Sequence, residues 1–575
     1  MAILLQCVNF KNRLIPFFFI FLVAGCSNLL FLNSYTNQLK NNADASSDYY
    51  IRKIEQAQNI EEQQTYKLLA ARVLVNENKL LQAEAMLAEL HDLNEEQRLD
   101  KSLIEAHLFA VKGNNAMADN YLHQINLPLL SLSQQRRYYE TVARIAQNQG
   151  QIINAVNTRI KIDSLLSDLQ RKQENNDHIW ALLRSANQDI INNPPQDISP
   201  ALSGWLALIK LYNDNLYSPD QLSQALQYWK TIYPHHSAAV LFPTELKGLL
   251  NFQHTQLHKI ALLLPLSGNG QLLGNTIKQG FDDAREDSLT SVKVFDTLST
   301  PIETIIEQAK QQGFDAIVGP LLKQNVDKLI NNANSLGGLT VLTLNSTSNS
   351  KAINQLCYYG LAPEDEAESA ANRIWEQGIH APLVIVPQND LGRRTASAFN
   401  ARWQQLSATD ANIKFYNTVE DIGFALQSGL NQNIQALYII ATNNQLSEIK
   451  TIIDNNNNNL KLFSSSRSNS SNNTPEYRLL MNGLEFSDIP FFKDIDSPQY
   501  QKAYKFTNGD YSLMRLYAMG RDAWLLINQL NELRQIPGFN ITGLTGKLSA
   551  GPNCNIAREM TWYQYQNATI FVLSN

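Results

Sequence analysis

The sequence lacks the short motifs that mark common catalytic sites. It contains no G-x-S-x-G, no H-E-x-x-H and no P-loop lysine, which removes the usual signatures of serine hydrolases, zinc peptidases and nucleotide hydrolases. Two S-x-x-K matches, Ser348–Lys351 and Ser447–Lys450, have no accompanying S-D-N or K-T-G element, although penicillin-recognising enzymes need all three. We therefore predict a protein that is not an enzyme and that uses no metal or other cofactor.

The chain also lacks an excess of basic residues and a long apolar run. Its formal net charge is −6 and no strongly basic patch is present, so nucleic acid is not expected as a partner. The apolar core near the start, Phe17–Leu22, is far shorter than the ~20 residues that a membrane-spanning helix needs. At 575 residues, the chain is long enough for two or three domains.

The first 26 residues have the pattern of an export signal. Lys11 and Arg13 precede the apolar core, as in a secretory signal peptide. The following Leu22–Cys26, LVAGC, resembles the lipobox of bacterial lipoproteins. That resemblance implies a signal peptide over residues 1–25, lipid on Cys26, and export to the outer membrane because Ser27 rather than aspartate follows. A plain secretory signal is the alternative.

Residues 26–47 are polar and rich in asparagine apart from Leu29–Leu32. We interpret them as a tether, which could reach about 65 Å if fully extended. The tether would separate the lipid from the first folded domain.

Residues 48–245 are predicted to form an all-α, tetratricopeptide-like helical array. Asn78, Gly113 and Gly150 are spaced by 35 and 37 residues, and alanine stands seven positions before and five positions after each. Small residues let two antiparallel helices approach, and asparagine or glycine makes the turn between them. Such arrays usually act as scaffolds or binding surfaces. A helical bundle without a repeat remains the alternative.

Residues 259–575 are predicted to form an α/β domain after a linker at 246–258 that follows Pro243. Apolar strands alternate with helices of period 3.6. The run Ser464–Asn473 has low complexity and is expected to be mobile. The predicted strands are Ile260–Leu264, Val292–Phe295, Ala316–Val318, Thr340–Leu344, Leu383–Val386, Ile413–Tyr416 and Ala436–Ile440, with short strands near Gly543–Leu548 and Met560–Leu573. The predicted helices include Pro363–Gln377 and a late helix, Tyr511–Glu532, that packs on the first lobe.

Polar residues follow two of the predicted strands. Ser267 and Gly268 come after the first strand, and Asn345, Ser346 and Thr347 come after the fourth. Ligands of α/β domains sit beyond the carboxyl ends of strands, so these five residues are the candidate lining of a ligand cleft. Ordinary turn chemistry is the alternative.

Two cysteines remain once the signal peptide and the lipid site are set aside. Cys357 and Cys554 would then be an even pair in an oxidising compartment. We expect a disulfide between them, and two separate buried thiols are the alternative.

Three stretches of the C-terminal half resemble one protein family: LLLPLSGNGQLLGNTIKQGFDDA (Leu262–Ala284), Cys357–Pro387 and Thr542–Ile570. The family is LpoA, the outer-membrane lipoprotein activators of a penicillin-binding protein. The resemblance implies a two-lobed, type I periplasmic binding-protein-like domain that binds a class A penicillin-binding protein close to peptidoglycan and stimulates peptidoglycan synthesis. A solute-binding lipoprotein for an amino acid or similar small ligand is the alternative, since fold alone does not fix function.

Overall fold

The computed structural model describes residues 35–194, 197–252, 254–407, 409–430, 434–455 and 460–574. They form two compact units. The first, the helical unit, comprises residues up to Asn213 together with Tyr228–Thr244, and the second, the α/β unit, comprises Asp214–Gln227 together with Glu245–Asn575. The predicted signal peptide at 1–25 and the predicted lipid site at Cys26 lie outside the described residues.

Helices α1 to α13 occupy the first part of the chain, where an all-α array was predicted, and this prediction is confirmed. Their bounds are α1 Ser47–Gln56, α2 Ile60–Asn76, α3 Leu80–Ala88, α4 Glu95–Val111, α5 Asn115–His123, α6 Leu132–Asn148, α7 Ile152–Asp163, α8 Leu169–Arg184, α9 Gln188–Asn192, α10 Pro200–Asn215, α11 Pro219–Ile232, α12 Ser237–Val240 and α13 Thr244–Lys247. Within the described part of the chain, no helix combines the length and apolarity needed to cross a bilayer.

The repeat is built around the residues that the spacing indicated. Asn78, Gly113 and Gly150 have positive φ angles of 58°, 79° and 71°, the left-handed conformation that ends a helix tightly. All six flanking alanines are at most 1% exposed: Ala71, Ala83, Ala106, Ala118, Ala143 and Ala155. Helix α2 accordingly packs on α3, α4 on α5, and α6 on α7.

Two of the first helices in these pairs begin with a capping box. The side chain of Asn94 accepts from the backbone N–H of Gln97, and Gln97 accepts from the backbone N–H of Asn94. Ser131 and Gln134 make the same reciprocal bonds at the start of α6, so each box satisfies two otherwise unpaired donors. Gln97 Nε2 also donates to the Glu61 carbonyl at 2.9 Å, which links one repeat to the preceding one.

Residues 36–46, here called the N-terminal strap, pack on the helical unit, so the predicted tether over 26–47 is wrong for this part. Thr36–Lys40 is a 3-10 helix in which Leu39 is fully buried. The carbonyl of Leu39 accepts from Arg72 at 3.2 Å and from Arg137 at 3.0 Å. The polar composition suggested solvation, but these backbone groups instead serve as partners for two buried guanidinium groups.

The α/β unit contains two larger sheets and a small one. The first lobe has a five-stranded sheet in the order β2-β1-β3-β4-β5, with all neighbours parallel. Its strands are β1 Lys259–Leu264, β2 Ser291–Asp296, β3 Ala316–Val318, β4 Thr340–Thr343 and β5 Leu356–Tyr358. Five of the six residues of β1 are fully buried, as expected for a strand covered on both faces.

The second lobe has a seven-stranded sheet in the order β15-β14-β10-β9-β8-β6-β7. Its strands are β6 Pro382–Pro387, β7 Asn412–Tyr416, β8 Ala436–Ile439, β9 Lys461–Ser464, β10 Glu485–Asp488, β14 Thr561–Gln566 and β15 Thr569–Val572. A three-stranded antiparallel sheet contains β11 Asn540–Thr542, β12 Lys547–Ala550 and β13 Ile556–Glu559. The chain therefore passes from the first lobe to the second after β5. After the three-stranded sheet, it adds β14 and β15 to the second-lobe sheet.

Helices flank these sheets and complete the two-lobed, periplasmic binding-protein-like fold that was predicted. They are α14 Gln271–Ala284, α15 Ile302–Gln311, α16 Lys323–Asn331, α17 Pro363–Glu376, α18 Asp390–Ser407, α19 Val419–Leu430, α20 Asn443–Asn455, α21 Pro475–Leu480, α22 Pro498–Phe506, α23 Tyr511–Asn528 and α24 Leu530–Gln535. The late helix predicted at Tyr511–Glu532 corresponds to α23 and the start of α24, and α23 packs on α14 of the first lobe.

Seven predicted strands match β1 to β4 and β6 to β8, and the two predicted tail segments overlap β12, β14 and β15, whereas β5, β9, β10, β11 and β13 were missed. Strand β9 reads KLFS and β10 reads EFSD, so each offers only one or two apolar side chains. Three of their polar residues, Ser464, Ser487 and Asp488, are nevertheless fully buried. Strands of this kind escape hydrophobic-pattern analysis because their burial depends on polar partners supplied by distant segments.

Candidate functional site

The predicted cleft residues of the fourth strand form a self-contained loop after β4. Asn345 Nδ2 donates to the Leu321 carbonyl at 3.0 Å, and Asn345 Oδ1 accepts from the backbone N–H of Ser346 at 3.0 Å. Thr347 Oγ1 donates to Asp327 at 2.6 Å. These side chains already have partners within the first lobe, so a ligand would have to compete with existing hydrogen bonds.

Ser267 and Gly268 form part of a tight loop between β1 and α14. Gly268 has a φ of 55°, which is a left-handed conformation that glycine adopts without strain. Asp296, at the end of β2, accepts from the backbone N–H groups of Leu266 and Leu298 at 2.9 and 3.1 Å. The Leu266 bond is the main reason that the pKa of Asp296 is lowered. The loop is therefore held by its neighbours at the carboxyl end of the sheet.

A different polar cluster, missed by the sequence analysis, lies in the second lobe. Arg515 makes a bidentate ion pair with Asp488, with Nε–Oδ1 at 2.9 Å and Nη2–Oδ2 at 2.6 Å. Asp488 is fully buried. Burial by itself would lower the pKa of Arg515, but the Asp488 carboxylate outweighs it and raises that pKa. This arginine also donates to the carbonyls of Ser466 and Asn469 at 3.0 and 2.9 Å.

The segment Ser464–Asn473 is part of this cluster, so its predicted mobility is wrong. The carbonyl of Ser468 accepts from Tyr565 Oη at 2.8 Å and from Asn473 Nδ2 at 2.8 Å. Ser464 Oγ donates to the Ile439 carbonyl at 2.8 Å. Serine and asparagine suggested a solvated loop, but here their short polar side chains satisfy buried groups that would otherwise be unpaired.

A second ion pair joins the start of α17 to strand β13. Arg558 Nε donates to Asp365 Oδ2 at 2.8 Å, and Arg558 Nη2 donates to the Ala362 carbonyl at 3.2 Å. The next residue, Glu366, accepts from the backbone N–H and hydroxyl of Ser466 at 2.7 and 2.8 Å, and burial raises its pKa. In the sequence these acids stand in the first turn of a predicted helix, where the helix dipole favours negative charge. That position gave no sign that they would have buried partners.

These groups surround a cavity of about 180 Å³ at the carboxyl ends of β8 and β9, here called the second-lobe cavity. Its lining includes Glu366, Thr395, Tyr438, Arg515 and Arg558. The hydroxyl groups of Thr395 and Tyr438 are buried without a hydrogen-bond partner. Orphaned hydroxyls beside charged groups are unusual in a folded protein and give the cavity the chemistry to hold a small polar molecule.

The two cysteines predicted to pair are joined in the structure. The sulfur atoms of Cys357 and Cys554 are 1.98 Å apart, and their Cα atoms are 4.7 Å apart. Cys357 lies in β5, and Cys554 ends the turn Pro552–Cys554 before β13. The bond therefore connects the first-lobe sheet to the three-stranded sheet across 197 residues of sequence.

A helical-repeat module followed by a two-lobed binding-protein-like domain defines the class of protein. A family with the description "LppC putative lipoprotein" matches residues 40–568. Proteins called penicillin-binding protein activator LpoA are similar over the whole chain: the Pasteurella multocida protein is 62% identical over 574 residues, with 100% of each chain covered. The Haemophilus influenzae protein is 55% identical over 577 residues, again with 100% of each covered. The chain belongs to this LpoA family of lipoproteins.

Solved structures agree with this assignment. The crystal structure of full-length LpoA from Haemophilus influenzae has a TM-score of 0.84 and 55% identity, covering 94% of this chain and 100% of that one. The C-domain of the same LpoA, described as a regulator of PBP1A, has a TM-score of 0.54 and covers 55% of this chain and 100% of that one. The family resemblance inferred from the sequence is therefore confirmed.

Proposed function

We propose that this protein is a non-enzymatic activator of a class A penicillin-binding protein and thereby a regulator of peptidoglycan synthesis. The observation that carries the proposal is full-length similarity to proteins named as penicillin-binding protein activators, at 62% identity for one of them. A relative's C-domain, which corresponds to the α/β unit, is described as a regulator of PBP1A.

We place this activity at the outer membrane, with the chain anchored through lipid on Cys26 and facing the periplasm. The family description as a lipoprotein and the LVAGC sequence support this placement. Since the strap already packs on the helical unit, nine Cα–Cα steps separate the lipid site at Cys26 from Tyr35, the first described residue. At ~3.3 Å per residue the anchor then reaches about 30 Å, less than half the distance expected from a tether ending at residue 47.

We assign activation of the synthase to the α/β unit. To the helical unit we assign the role of setting how far from the lipid anchor the α/β unit can act. A class A synthase sits in the inner membrane, so the activator must meet it across the periplasm. Stimulation requires that the contact favour the active state of the synthase over its inactive state by a differential binding energy. The helical array would set where the α/β unit can be found, and tethering would raise its local concentration.

The test is synthase turnover in the presence of the whole chain or of either part at matched concentration. Residues 259–575 should stimulate glycosyl transfer or transpeptidation by a purified class A synthase, whereas residues 35–245, which keep the strap with the helical array, should not. Stimulation by the helical part alone would reverse the assignment. If neither the parts nor the whole chain change turnover, activation itself is refuted.

A second candidate, binding of a small polar solute such as an amino acid, is favoured by the second-lobe cavity. The unpaired hydroxyls of Thr395 and Tyr438 are the observation that favours it. Native mass spectrometry of the chain with a panel of amino acids would reveal a bound solute, and Thr395→Val with Tyr438→Phe should abolish it. Synthase activation that is unchanged by the same two substitutions would separate the two functions.

A further inference from the structure

A cavity of about 210 Å³ lies on the helical unit, enclosed by α2, α4, α6, α8 and the N-terminal strap; we call it the arginine cavity. Arg72 from α2, His107 from α4 and Arg137 from α6 line it. These helices are the first members of successive pairs, so the cavity occupies one face of the repeat. Arg72 and His107 occupy equivalent positions in the repeat, because each directly follows a packing alanine, Ala71 or Ala106.

A buried carboxylate beneath the cavity is shared by two arginines. Asp100, whose side chain is fully buried, accepts from Arg72 Nη2 at 2.8 Å and from Arg137 Nη2 at 2.6 Å. Both guanidinium groups also donate to the strap carbonyl of Leu39. One negative charge therefore balances two cations in a region from which water is largely excluded, which leaves a positive charge uncompensated.

The other ionised residues in the cavity lining pair one to one. Arg136 Nη1 lies 2.5 Å from Glu140 Oε1, and Arg171 forms an ion pair with Asp44 of the strap. Among the lining residues and Asp100, four arginines face three carboxylates, and Arg144 and Arg159 add positive charge close to His107. His107 is half-buried, and this partial burial lowers its pKa, so it adds no charge near neutral pH. The surroundings of the cavity therefore carry a surplus of positive charge.

Among the lining arginines, Arg137 has the most unused hydrogen-bonding capacity, with two unpaired nitrogen atoms against one, Nε, in Arg72. Its side chain is only 10% exposed, and its Nε and Nη1 atoms are buried without a partner. Burial lowers its pKa to about 10, so it stays a cation at physiological pH. Buried donors on a charged group are normally satisfied, and here they belong to a residue that lines the cavity.

We propose that the arginine cavity is a binding site for a monoanionic carboxylate with a short aliphatic part. The surplus positive charge favours an anion over a neutral ligand, and an apolar wall favours an anion with an aliphatic part over inorganic phosphate. Val75, Leu103 and Ile104 provide an apolar wall, against which a few methylene or methyl groups can pack. Such a carboxylate can come from a free aliphatic acid or from the C-terminus of a peptide, and the two sources share the same recognition chemistry.

The test uses the full chain in detergent and isothermal titration calorimetry with defined probes. These are isovalerate, its uncharged analogue isovaleramide, inorganic phosphate, and a tripeptide ending in valine with either a free or an amidated C-terminus. We expect isovalerate to bind and isovaleramide not to bind. Binding of the free-acid tripeptide, but not of its amide, would extend the site to peptide termini. Binding of isovalerate alone would restrict it to free acids.

Three variants connect the binding to the cavity. Arg137→Gln should weaken isovalerate binding at least tenfold, and so should Asn76→Trp, which fills the cavity from an exposed rim position without removing an ion pair. Arg98→Gln is the control, because Arg98 lies on α4 and its loss removes the same charge, but Arg98 is not among the lining residues. It should bind as the parent chain does. Far-ultraviolet circular dichroism checks that each variant is folded.

Several results would overturn the proposal. They are the absence of isovalerate binding at millimolar concentration, equal binding of isovaleramide, and tighter binding of phosphate than of isovalerate. Undiminished binding by Asn76→Trp would also overturn it, even if Arg137→Gln proved unable to fold.

Discussion

Gly280 of α14 and Gly520 of α23 let these two helices meet backbone to backbone. A Cβ atom placed on Gly280 would lie 2.0 Å from the carbonyl oxygen of Tyr517, and one placed on Gly520 would lie 2.1 Å from the carbonyl oxygen of Ile277. Both distances are far below van der Waals contact, and the opposing atoms belong to the main chain. The late helix can therefore close on the first lobe only because both positions lack a side chain.

Gly520→Ala should destabilise the α/β unit substantially. The added methyl group meets the backbone of α14, which cannot move aside as a flexible side chain could, so we expect a loss of about 1–3 kcal/mol or more. Urea denaturation of the purified chain measures it. Gly338→Ala is the control, since no atom lies within 4 Å of the added Cβ. An unchanged unfolding midpoint for Gly520→Ala would contradict the observed helix packing.

The stability of the helical unit should fall below pH 6.5 because of His236. Its Nε2 donates to the Ala201 carbonyl at 2.8 Å and its Nδ1 accepts from the backbone N–H of Ala238 at 3.2 Å, which requires the neutral ring. Burial lowers the pKa of His236 below its ordinary 6.5. The unfolded chain therefore takes up a proton first as pH falls, and the stabilisation present above pH 6.5 is lost towards the lower folded-state pKa.

His236→Asn provides the comparison for this pH dependence. Asparagine keeps an acceptor for Ala238 N–H and does not titrate. The unfolding midpoint of the variant should therefore fall less steeply than that of the parent between pH 6.5 and 5. His235→Asn, at the exposed neighbouring position, should follow the parent. Parallel pH profiles for the parent and His236→Asn would show that His236 is not responsible.

Loss of the Cys357–Cys554 bond should weaken the α/β unit without removing its fold. The bond closes a loop of 197 residues, so loop-closure entropy allows a stabilisation of up to about 5 kcal/mol. A Cys357→Ala, Cys554→Ala variant should unfold at a lower urea concentration than the oxidised parent. The parent should unfold at that lower concentration only after its disulfide has been reduced. Mass spectrometry without reductant should find both cysteines in one linked peptide. Free thiols at both positions in protein taken from the periplasm would refute the pairing.

Cys26→Ser should abolish anchoring. If Cys26 carries lipid, the variant should incorporate no labelled palmitate and should no longer fractionate with the outer membrane. Cys7→Ser is the matched control, since Cys7 lies within the predicted signal peptide and its loss should leave labelling unchanged. Palmitate labelling that persists in Cys26→Ser would exclude the lipobox interpretation.

The elements that sequence analysis located correctly are those with local signals. The repeat was visible because its alanines and its turn residues Asn78, Gly113 and Gly150 recur within about 40 positions. Strand β1 was visible because five consecutive residues are apolar. The candidate cleft was placed on the first lobe because turn-forming polar residues follow strands there. The cavity with unpaired hydroxyls instead lies in the second lobe.

The sequence by itself determined the helical array, the α/β alternation and the family, because these depend on periodicity and on short motifs. Only the tertiary structure decided which polar groups are buried. Asp100 lies between Arg72 and Arg137, Asp488 meets Arg515, and the strap covers α2 and α6. The cost of burying a charge depends on the partner placed opposite it, and here the partners are 27 to 98 residues away in the chain.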